Sequence, residues 1–368
     1  MRIVGWVLVV LVAVAAALTL KPDLAGAVVP SWGDLSVTFP FSQAIAVRIL
    51  PAAVFGIIAV IVLVVGLVRK FGFRAGNHSL VLALVLALVA VGHFWFLWDR
   101  GLQNPEELRP DRGVRPAGEG DGTITVVSYN TQVGRTGADG IAGVAEDTGA
   151  DVIALTETGP ELAEQIASFL EGGGESFQVF TSGEGDGEGG QGDPEGDEQD
   201  AEQASVGATA LLVSSTLGEY AQAESPATEF GSVRAEPASG VGPVLVVVHA
   251  VPPLREQHER WRADLETILE LCSDSGPGGL VLAGDFNATL DHAPMQDLGR
   301  CADAGVAAEV GGVSTWPTRL PELVGSPIDH VLVDTEAYET TQGRVVERGE
   351  SDHRGLVMRI RPLEPRTD

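Results

Sequence analysis

Residues 279–288 read Gly-Leu-Val-Leu-Ala-Gly-Asp-Phe-Asn-Ala. The opening run is short, apolar and unbroken, as expected of a strand buried on both faces, and it stops on a carboxylate and an amide. A buried strand ending in polar side chains puts chemistry at the edge of a sheet, where loops on a rigid scaffold carry most binding and catalytic groups. The pattern repeats outward in both directions. Upstream, a strand over 123–129 stops at Asn130, one over 151–155 runs into Thr156 and Glu157, and one over 244–248 stops at His249. Downstream, a strand over 328–333 starts beside Asp329 and His330, and one over 356–360 follows Asp352 and His353. Further strands are expected over 177–180 and 208–213. Helices are expected over 138–148, 160–171 and 255–272, the last with Trp261, Leu265, Ile268 and Cys272 on one face. Strands interleaved with helices over some 245 residues give an α/β or α+β class.

Charge divides the chain in two. Of 368 residues, 23 are Lys or Arg and 51 are Asp or Glu, a net charge of −28, which excludes a basic protein that coats nucleic acid. Residues 1–120 carry 10 basic and 7 acidic side chains, whereas 121–368 carry 13 Arg, no Lys and 44 acids. The only cysteines are Cys272 and Cys301, so the chain is not a disulfide scaffold. Residues 183–203 hold nine acids among Gly, Gln and Pro with no base, a composition expected to form a disordered insertion.

Before residue 100 the sequence predicts three transmembrane helices, at about 3–20, 44–68 and 80–98, each near the ~20 apolar residues that cross a bilayer. The first could instead be a cleaved leader ending at Ala25-Gly26-Ala27, but Lys21-Pro22-Asp23 intervenes and an uncleaved helix is favoured. Arg69, Lys70 and Arg74 between the second and third runs, with Arg2 at the start, place those points in the cytoplasm by the positive-inside rule. Everything after Trp98 is then extracytoplasmic, in a multi-pass cell-membrane protein whose partner is the lipid bilayer. His93 to Trp98 reads as an aromatic belt, with His93 anchoring. Residues 99–120, rich in Pro, Gly, Arg and Glu, read as a linker to a domain over 121–365.

Each polar strand-end residue has a plain reading on its own. Asn130 and Asn287 suit turns, Asp285 and Asp352 suit caps, and His330 suits packing beside a strand. Taken together, in this order and at strand ends, turns and caps do not account for them. Carboxylates and Asn gathered at one sheet edge can hold a hard cation such as Mg²⁺, and nearby His can move protons.

From Gly122 to Arg361 the chain resembles the endonuclease/exonuclease/phosphatase superfamily, which includes pancreatic-type deoxyribonuclease, apurinic endonucleases, neutral sphingomyelinases and inositol-polyphosphate phosphatases. The motifs that carry the resemblance are Ser128-Tyr129-Asn130, Asp151-Val152-Ile153-Ala154-Leu155-Thr156-Glu157, Val248-His249, Gly284-Asp285-Phe286-Asn287-Ala288, Ser326-Pro327-Ile328-Asp329-His330-Val331 and Ser351-Asp352-His353. The resemblance implies a four-layered sandwich of two β-sheets flanked by helices and a phosphoric ester hydrolase using Mg²⁺ or Mn²⁺. It implies metal contacts from Glu157, with Asn130 and Asp352 close by. Asp285 and Asn287 would orient the nucleophile and the scissile phosphate. His353 would polarise the phosphate or act as base, Asp329 would orient His353, and His249 would be a second catalytic histidine. His249 leans towards the deoxyribonuclease and sphingomyelinase side, since apurinic endonucleases have Tyr there. The chain departs from some members at Gln132, where they carry an acid.

The substrate is open between nucleic acid and phospholipid, and no obligate protein partner is expected. The deficit of basic residues opposes long polyanions, whose affinity rests on Lys and Arg; Arg255, Arg260 and Arg262 form either a small anion-binding group or a solvated helix face paired with Glu256 and Glu259. A non-catalytic tethered binding domain is a third reading, opposed by the presence of all eight polar residues together. Cys272 and Cys301 are expected either to pair, as two cysteines of an extracytoplasmic domain, or to remain a buried and an unpaired thiol.

Overall fold

A computed structural model describes residues 2–73, 75–108, 122–182, 205–273 and 278–363. The chain forms two compact units. The first comprises residues 1–99 together with the segment Leu290–Ala293. Its helices are α1 (Arg2–Leu18), the short α2 (Phe41–Ala46), α3 (Ile49–Phe73) and α4 (Asn77–Asp99). Helices α3 and α4 are long and apolar enough to cross a membrane. The first apolar run forms a helix of 17 residues, at the short end of the ~17–25 residues that cross a bilayer. One boundary is corrected here. The second run does not begin at residue 44: α2 ends at Ala46, and α3 starts at Ile49 with Pro51 in its first turn, where the missing N–H costs no helical bond.

The helices meet through a small apolar cluster of Ala16, Ala59, Leu86 and Val89. Beside it lies a buried polar network. The Arg48 guanidinium donates to the Leu20 carbonyl at 2.9 Å and to Asp291 Oδ1 at 2.7 Å, and stands 4.5 Å from the centre of the Phe96 ring. Arg48 also contacts His93 Nδ1 at 3.2 Å, and His93 Nε2 lies 3.0 Å from the Thr19 hydroxyl. Because Arg48 can only donate, His93 accepts at Nδ1 and donates at Nε2. His93 is therefore buried inside this unit instead of anchoring at an aromatic belt, and both terminal nitrogens of the buried Arg48 guanidinium have partners.

The second unit comprises 100–289 and 294–368. It holds two six-stranded sheets. One has the order β11-β12-β1-β2-β4-β3 and the other β5-β6-β7-β8-β10-β9. The first sheet contains β1 (Ile124–Asn130), β2 (Val152–Thr156), β3 (Phe177–Thr181), β4 (Thr209–Ser214), β11 (Tyr338–Val346) and β12 (Gly355–Pro362). The second contains β5 (Tyr220–Ala223), β6 (Val233–Pro237), β7 (Val244–His249), β8 (Leu280–Asp285), β9 (Cys301–Asp303) and β10 (Asp329–Asp334). Each sheet has one parallel pair, β1 with β2 and β7 with β8, joined through α5 (Ala138–Thr148) and α7 (His258–Glu270) respectively. A parallel pair needs such a crossover, and it brings both strands' C-terminal ends to the same edge. With α6 (Pro160–Gly172) and the short α8 (Ala304–Ala307), the architecture is the expected α/β two-sheet sandwich with flanking helices.

Alternation along the strands decides which side chains reach the space between the sheets. Val126 of β1, Val152 and Ala154 of β2, Val247 of β7, Val281 and Ala283 of β8, and Val331 and Val333 of β10 belong to one buried core. Val127, Tyr129, Ile153 and Leu155 alternate with them and pack with Ile141 of α5 and Ile166 and Leu170 of α6 in a second core. Continuing each inner series by the period of two reaches Asn130, His249, Asp285 and Asp329. Gly284 is a backbone concession: its φ is 141°, and a Cβ there would sit 2.0 Å from the Val248 carbonyl of the paired strand.

Helix α7 begins at His258 and not at 255, after a turn in which Leu254 N–H donates to the Pro252 carbonyl. The start of the expected linker is tied into the second unit: the Asn104 side chain both donates to and accepts from the Val345 backbone of β11. The acidic stretch 183–203 lies outside the described residues. Cys272 and Cys301 form a disulfide.

Candidate active site

The eight polar residues expected to act together do converge. β1 and β2 are paired so that Asn130 stands opposite Thr156, one residue before Glu157. β8 is flanked by β7 and β10, so Asp285 stands opposite His249 on one side and Asp329 on the other. Asn130 links the two sheets: its Nδ2 donates to Glu157 Oε1 at 3.0 Å and to Asp285 Oδ2 at 3.1 Å. His353 Nδ1 lies 2.9 Å from Asp329 Oδ2. Asp285 Oδ2 then stands 3.7 Å from His249 Nε2 and 3.8 Å from His353 Nε2. Those two separations are too long for hydrogen bonds, so three polar atoms surround one point without closing on each other.

Local backbone geometry aims several of these groups. Glu157 has φ 54° and Asn287 φ 48°, both in the left-handed region that non-glycine residues seldom occupy. At Glu157 the turn breaks the strand alternation and brings the side chain round to Asn130. At Asn287 the turn is closed by its own N–H donating to Asp285 Oδ1 at 2.8 Å, while its Nδ2 donates to the Ala250 carbonyl at 2.9 Å. Gln132 and Val133, at φ 49° and 56°, form a third such turn after β1. Backbone strain of this kind, about 1–3 kcal/mol per residue, survives where the surroundings enforce it and clusters at functional sites.

The electrostatics divide the two histidines. Burial alone would depress the His353 imidazole, but the charge and hydrogen bond of Asp329, with help from Asp285 and Asp352, outweigh it and lift the ring to about 10. His249 goes the other way, to about 3, through burial and then the neighbouring positive charge of His353. Its Nδ1 faces the Val206 carbonyl at 3.1 Å and so carries the proton, which leaves the Nε2 lone pair towards Asp285. Asp285 is raised by burial and by the adjacent Asp329 carboxylate. Glu157 is raised by burial, offset in part by the Asn130 hydrogen bond, with Asp352 close enough to push it further up. A charged and a neutral imidazole around carboxylates of raised pKa is the arrangement from which one fold draws both acid and base at neutral pH.

Several residues to which the sequence reading gave no role complete the site. Gln132 uses Oε1 to accept the Asp352 N–H at 2.9 Å. The Ser351 hydroxyl donates to the Asn130 carbonyl at 2.7 Å and accepts the His353 N–H at 3.1 Å. Thr315 Oγ1 accepts the N–H groups of Ile328 and Asp329 at 3.1 and 3.2 Å. The Trp316 indole N–H donates to Asp352 Oδ2 at 3.0 Å. Of these, Ser351 carried a signal through its place in Ser-Asp-His, and Gln132 through its departure from the pattern of some family members. His330 lies on the opposite face of β10 from Asp329, between Asp303 Oδ2 at 2.6 Å and the Ala288 carbonyl at 2.9 Å, so it braces the turn after β8 instead of entering the site.

The sequence profile of the endonuclease/exonuclease/phosphatase family matches residues 127–353, a span that takes in every one of these groups. The chain belongs to that family. Its members are hydrolases of phosphate esters. The family's fold is also seen in the apurinic endonuclease LMAP from Leishmania major, 14% identical with a TM-score of 0.50 over 73% of this chain and 95% of that one. D. rerio TDP2 complexed with a single-strand DNA product is 15% identical, with a TM-score of 0.48 over 65% of this chain and 98% of that one. A family protein from Beutenbergia cavernae is 18% identical, with a TM-score of 0.44 over 66% and 72%. No curated protein matches the chain by sequence.

The residues present suit a divalent cation. Glu157, Asp285, Asp329 and Asp352 supply hard oxygen donors, and among the described residues no Arg or Lys pairs with any of them. Ligand atoms of Asp285, Asp329 and His353 all lie within 4.8 Å of one another. Four carboxylates gathered around one charged imidazole, two of them buried, favour a cation such as Mg²⁺ or Mn²⁺, which takes oxygen ligands.

Proposed function

We propose that this protein is a divalent-cation-dependent phosphodiesterase, tethered to a membrane by its N-terminal helices with the catalytic unit on the extracytoplasmic side. The observation that carries the reading is the meeting of Asn130, Glu157, His249, Asp285, Asn287, Asp329, Asp352 and His353 at one edge of both sheets, in a family of phosphate ester hydrolases.

Glu157 and Asp352, with Asn130 against Glu157, would hold the cation. Once bound, it would neutralise charge on a phosphoryl oxygen and so favour attack on an anionic ester. The chain's own groups supply the rest. His353, kept charged by Asp329, donates from Nε2 to a non-bridging phosphate oxygen. Asp285, with its raised pKa, accepts a proton from the attacking water. His249, neutral and with its Nε2 lone pair towards Asp285, orients that water. Asn130 holds Asp285 and Glu157 in register across the two sheets. Asn287, fixed by the Asp285 and Ala250 contacts, stands where the next phosphate oxygen would be met. General acid–base catalysis supplies some 10²–10⁴-fold, so charge neutralisation and positioning carry most of the acceleration.

Two substrate classes are compatible with the site: nucleic acid and the head groups of phospholipids. The test is a substrate panel on the full chain in detergent or lipid discs with Mg²⁺, setting plasmid DNA beside sphingomyelin and phosphoinositide vesicles, each repeated with chelator. Chelator-sensitive hydrolysis of one class assigns it, and hydrolysis of none refutes the proposal.

A further inference from the structure

We propose that Trp316 is a positioning residue for the cation, acting through Asp352. The inference rests on the assignment of Asp352 to the cation site and concerns how that carboxylate is aimed.

Asp352 lies on a turn between two strands, in a place where a free carboxylate would sample several rotamers. Three contacts fix it. Its N–H donates to Gln132 Oε1 at 2.9 Å, its carbonyl accepts from the Thr318 N–H at 2.9 Å, and its Oδ2 accepts from the Trp316 indole at 3.0 Å. The indole is the only side-chain donor to that carboxylate among the described residues, and it occupies one of the two oxygens. Oδ1 is thereby left for another ligand, with the plane of the carboxylate set by the ring.

The loop that presents Trp316 is itself held firmly. Trp316 and Ser326 exchange backbone hydrogen bonds at 3.1 and 2.7 Å. Gly325 makes this pairing possible, since a Cβ there would stand 2.2 Å from the Trp316 carbonyl. The buried Arg354, next to His353, donates to the carbonyls of Thr318 at 2.9 Å and Leu320 at 2.8 Å. Its own N–H donates to the Thr315 carbonyl at 2.7 Å. The Thr318 hydroxyl donates to the Ser351 carbonyl at 3.1 Å. The Trp316 loop and the Ser-Asp-His turn are thus bound into one body, and Trp316 is the member that reaches the carboxylate. The same loop fixes Asp329 through Thr315, so both acids that flank His353 take their position from it. Groups that hold a metal ligand from behind typically matter by about 10–100-fold in metal affinity or activity.

The test uses the full chain in detergent, with Mn²⁺ binding followed by the electron paramagnetic resonance of free Mn²⁺. Trp316→Phe, which keeps the aromatic bulk and loses the N–H, should weaken Mn²⁺ by roughly tenfold. Trp316→His, which restores a ring N–H, should recover part of that loss. A second readout needs no loss of structure. The chain has six Trp, and in 5-fluorotryptophan protein the ¹⁹F resonance missing from the Phe variant identifies Trp316. On addition of Mg²⁺ that resonance should shift, saturating in proportion to occupancy, and the shift should vanish in Asp352→Asn. A Phe variant that binds Mn²⁺ within twofold of the unaltered chain, or a Trp316 resonance indifferent to Mg²⁺ while Glu157→Gln abolishes Mn²⁺ binding, overturns the inference and leaves the cation site standing. Failure of the unaltered chain to bind Mn²⁺ at all removes both.

Discussion

Asp329→Asn changes one atom of a side chain that touches His353, and the structure sets how large the consequence should be. In the metal-free protein the His353 imidazole is lifted from 6.5 to about 10, which corresponds to roughly 5 kcal/mol of preference for the charged ring. Burial opposes that preference, so the carboxylates supply more than the net value, and Asp329 is the largest contributor among them. Removing one partner from a buried charge pair costs about 3–5 kcal/mol, equivalent to about 2–4 pH units. Asp329→Asn should therefore bring His353 down to between about 6 and 8. A raised histidine contributes stability that is complete below its unfolded value of 6.5 and disappears as pH climbs through its folded value. Unfolding free energy of the metal-free chain should accordingly fall between about pH 7 and 10, and the variant should be less stable at pH 6 with a flatter profile above pH 7. The assay is a pH titration of [¹³Cε1]-histidine resonances, with His353 assigned by His353→Gln, beside urea denaturation at each pH. A wild-type His353 that titrates below 7, or a variant whose His353 still titrates above 9, would refute the electrostatic reasoning.

Other expectations follow from the same structure. Glu157→Gln should lower turnover by about 10²-fold or more while leaving the melting temperature of the metal-free protein unchanged or slightly higher, because burial already disfavours the Glu157 carboxylate; a large loss of stability would show a structural role instead. Replacing Cys272 and Cys301 by Ala opens a loop with 29 residues of separation and should cost about 3–4 kcal/mol on the loop-entropy relation, read by denaturation beside a thiol assay that finds no free thiol in the unreduced chain. Reporter fusions should place the loop near residue 75 in the cytoplasm and residue 363 outside it, and the opposite signals would reverse the orientation.

The parts of the fold legible in the sequence are those buried on two faces. β1, β2, β7, β8 and β10 are runs of Val, Ile, Leu and Ala that end on the polar residues of the site, and both cores use them. The strands that escaped notice lie at or near the sheet edges. β5, β6 and β11 each turn one side towards solvent, so Gln222, Glu236 and Thr341 dilute the apolar pattern, and β9 has only three residues. The site residues themselves were readable because they sit at strand ends within short motifs. Their supports were not: Trp316 reaches Asp352 across 36 residues, and Gln132 reaches it across 220, through contacts that only the closed sandwich creates. The helical unit shows the same limit more sharply. His93 was legible only as part of an aromatic stretch, and the carboxylate that pairs with its neighbour Arg48 comes from Asp291, 243 residues away. What looked like an interfacial histidine is a buried member of that network.

The central claim is that a cation-holding pocket in this chain cleaves phosphodiesters. Its most direct test is the initial rate of bis(p-nitrophenyl) phosphate hydrolysis by the purified full chain, with Mg²⁺, with chelator, and with Glu157→Gln in place of the native residue. Hydrolysis that requires Mg²⁺, stops with chelator and falls by two orders of magnitude or more in the variant is the result this structure predicts; a rate indifferent both to chelator and to Glu157 would contradict it.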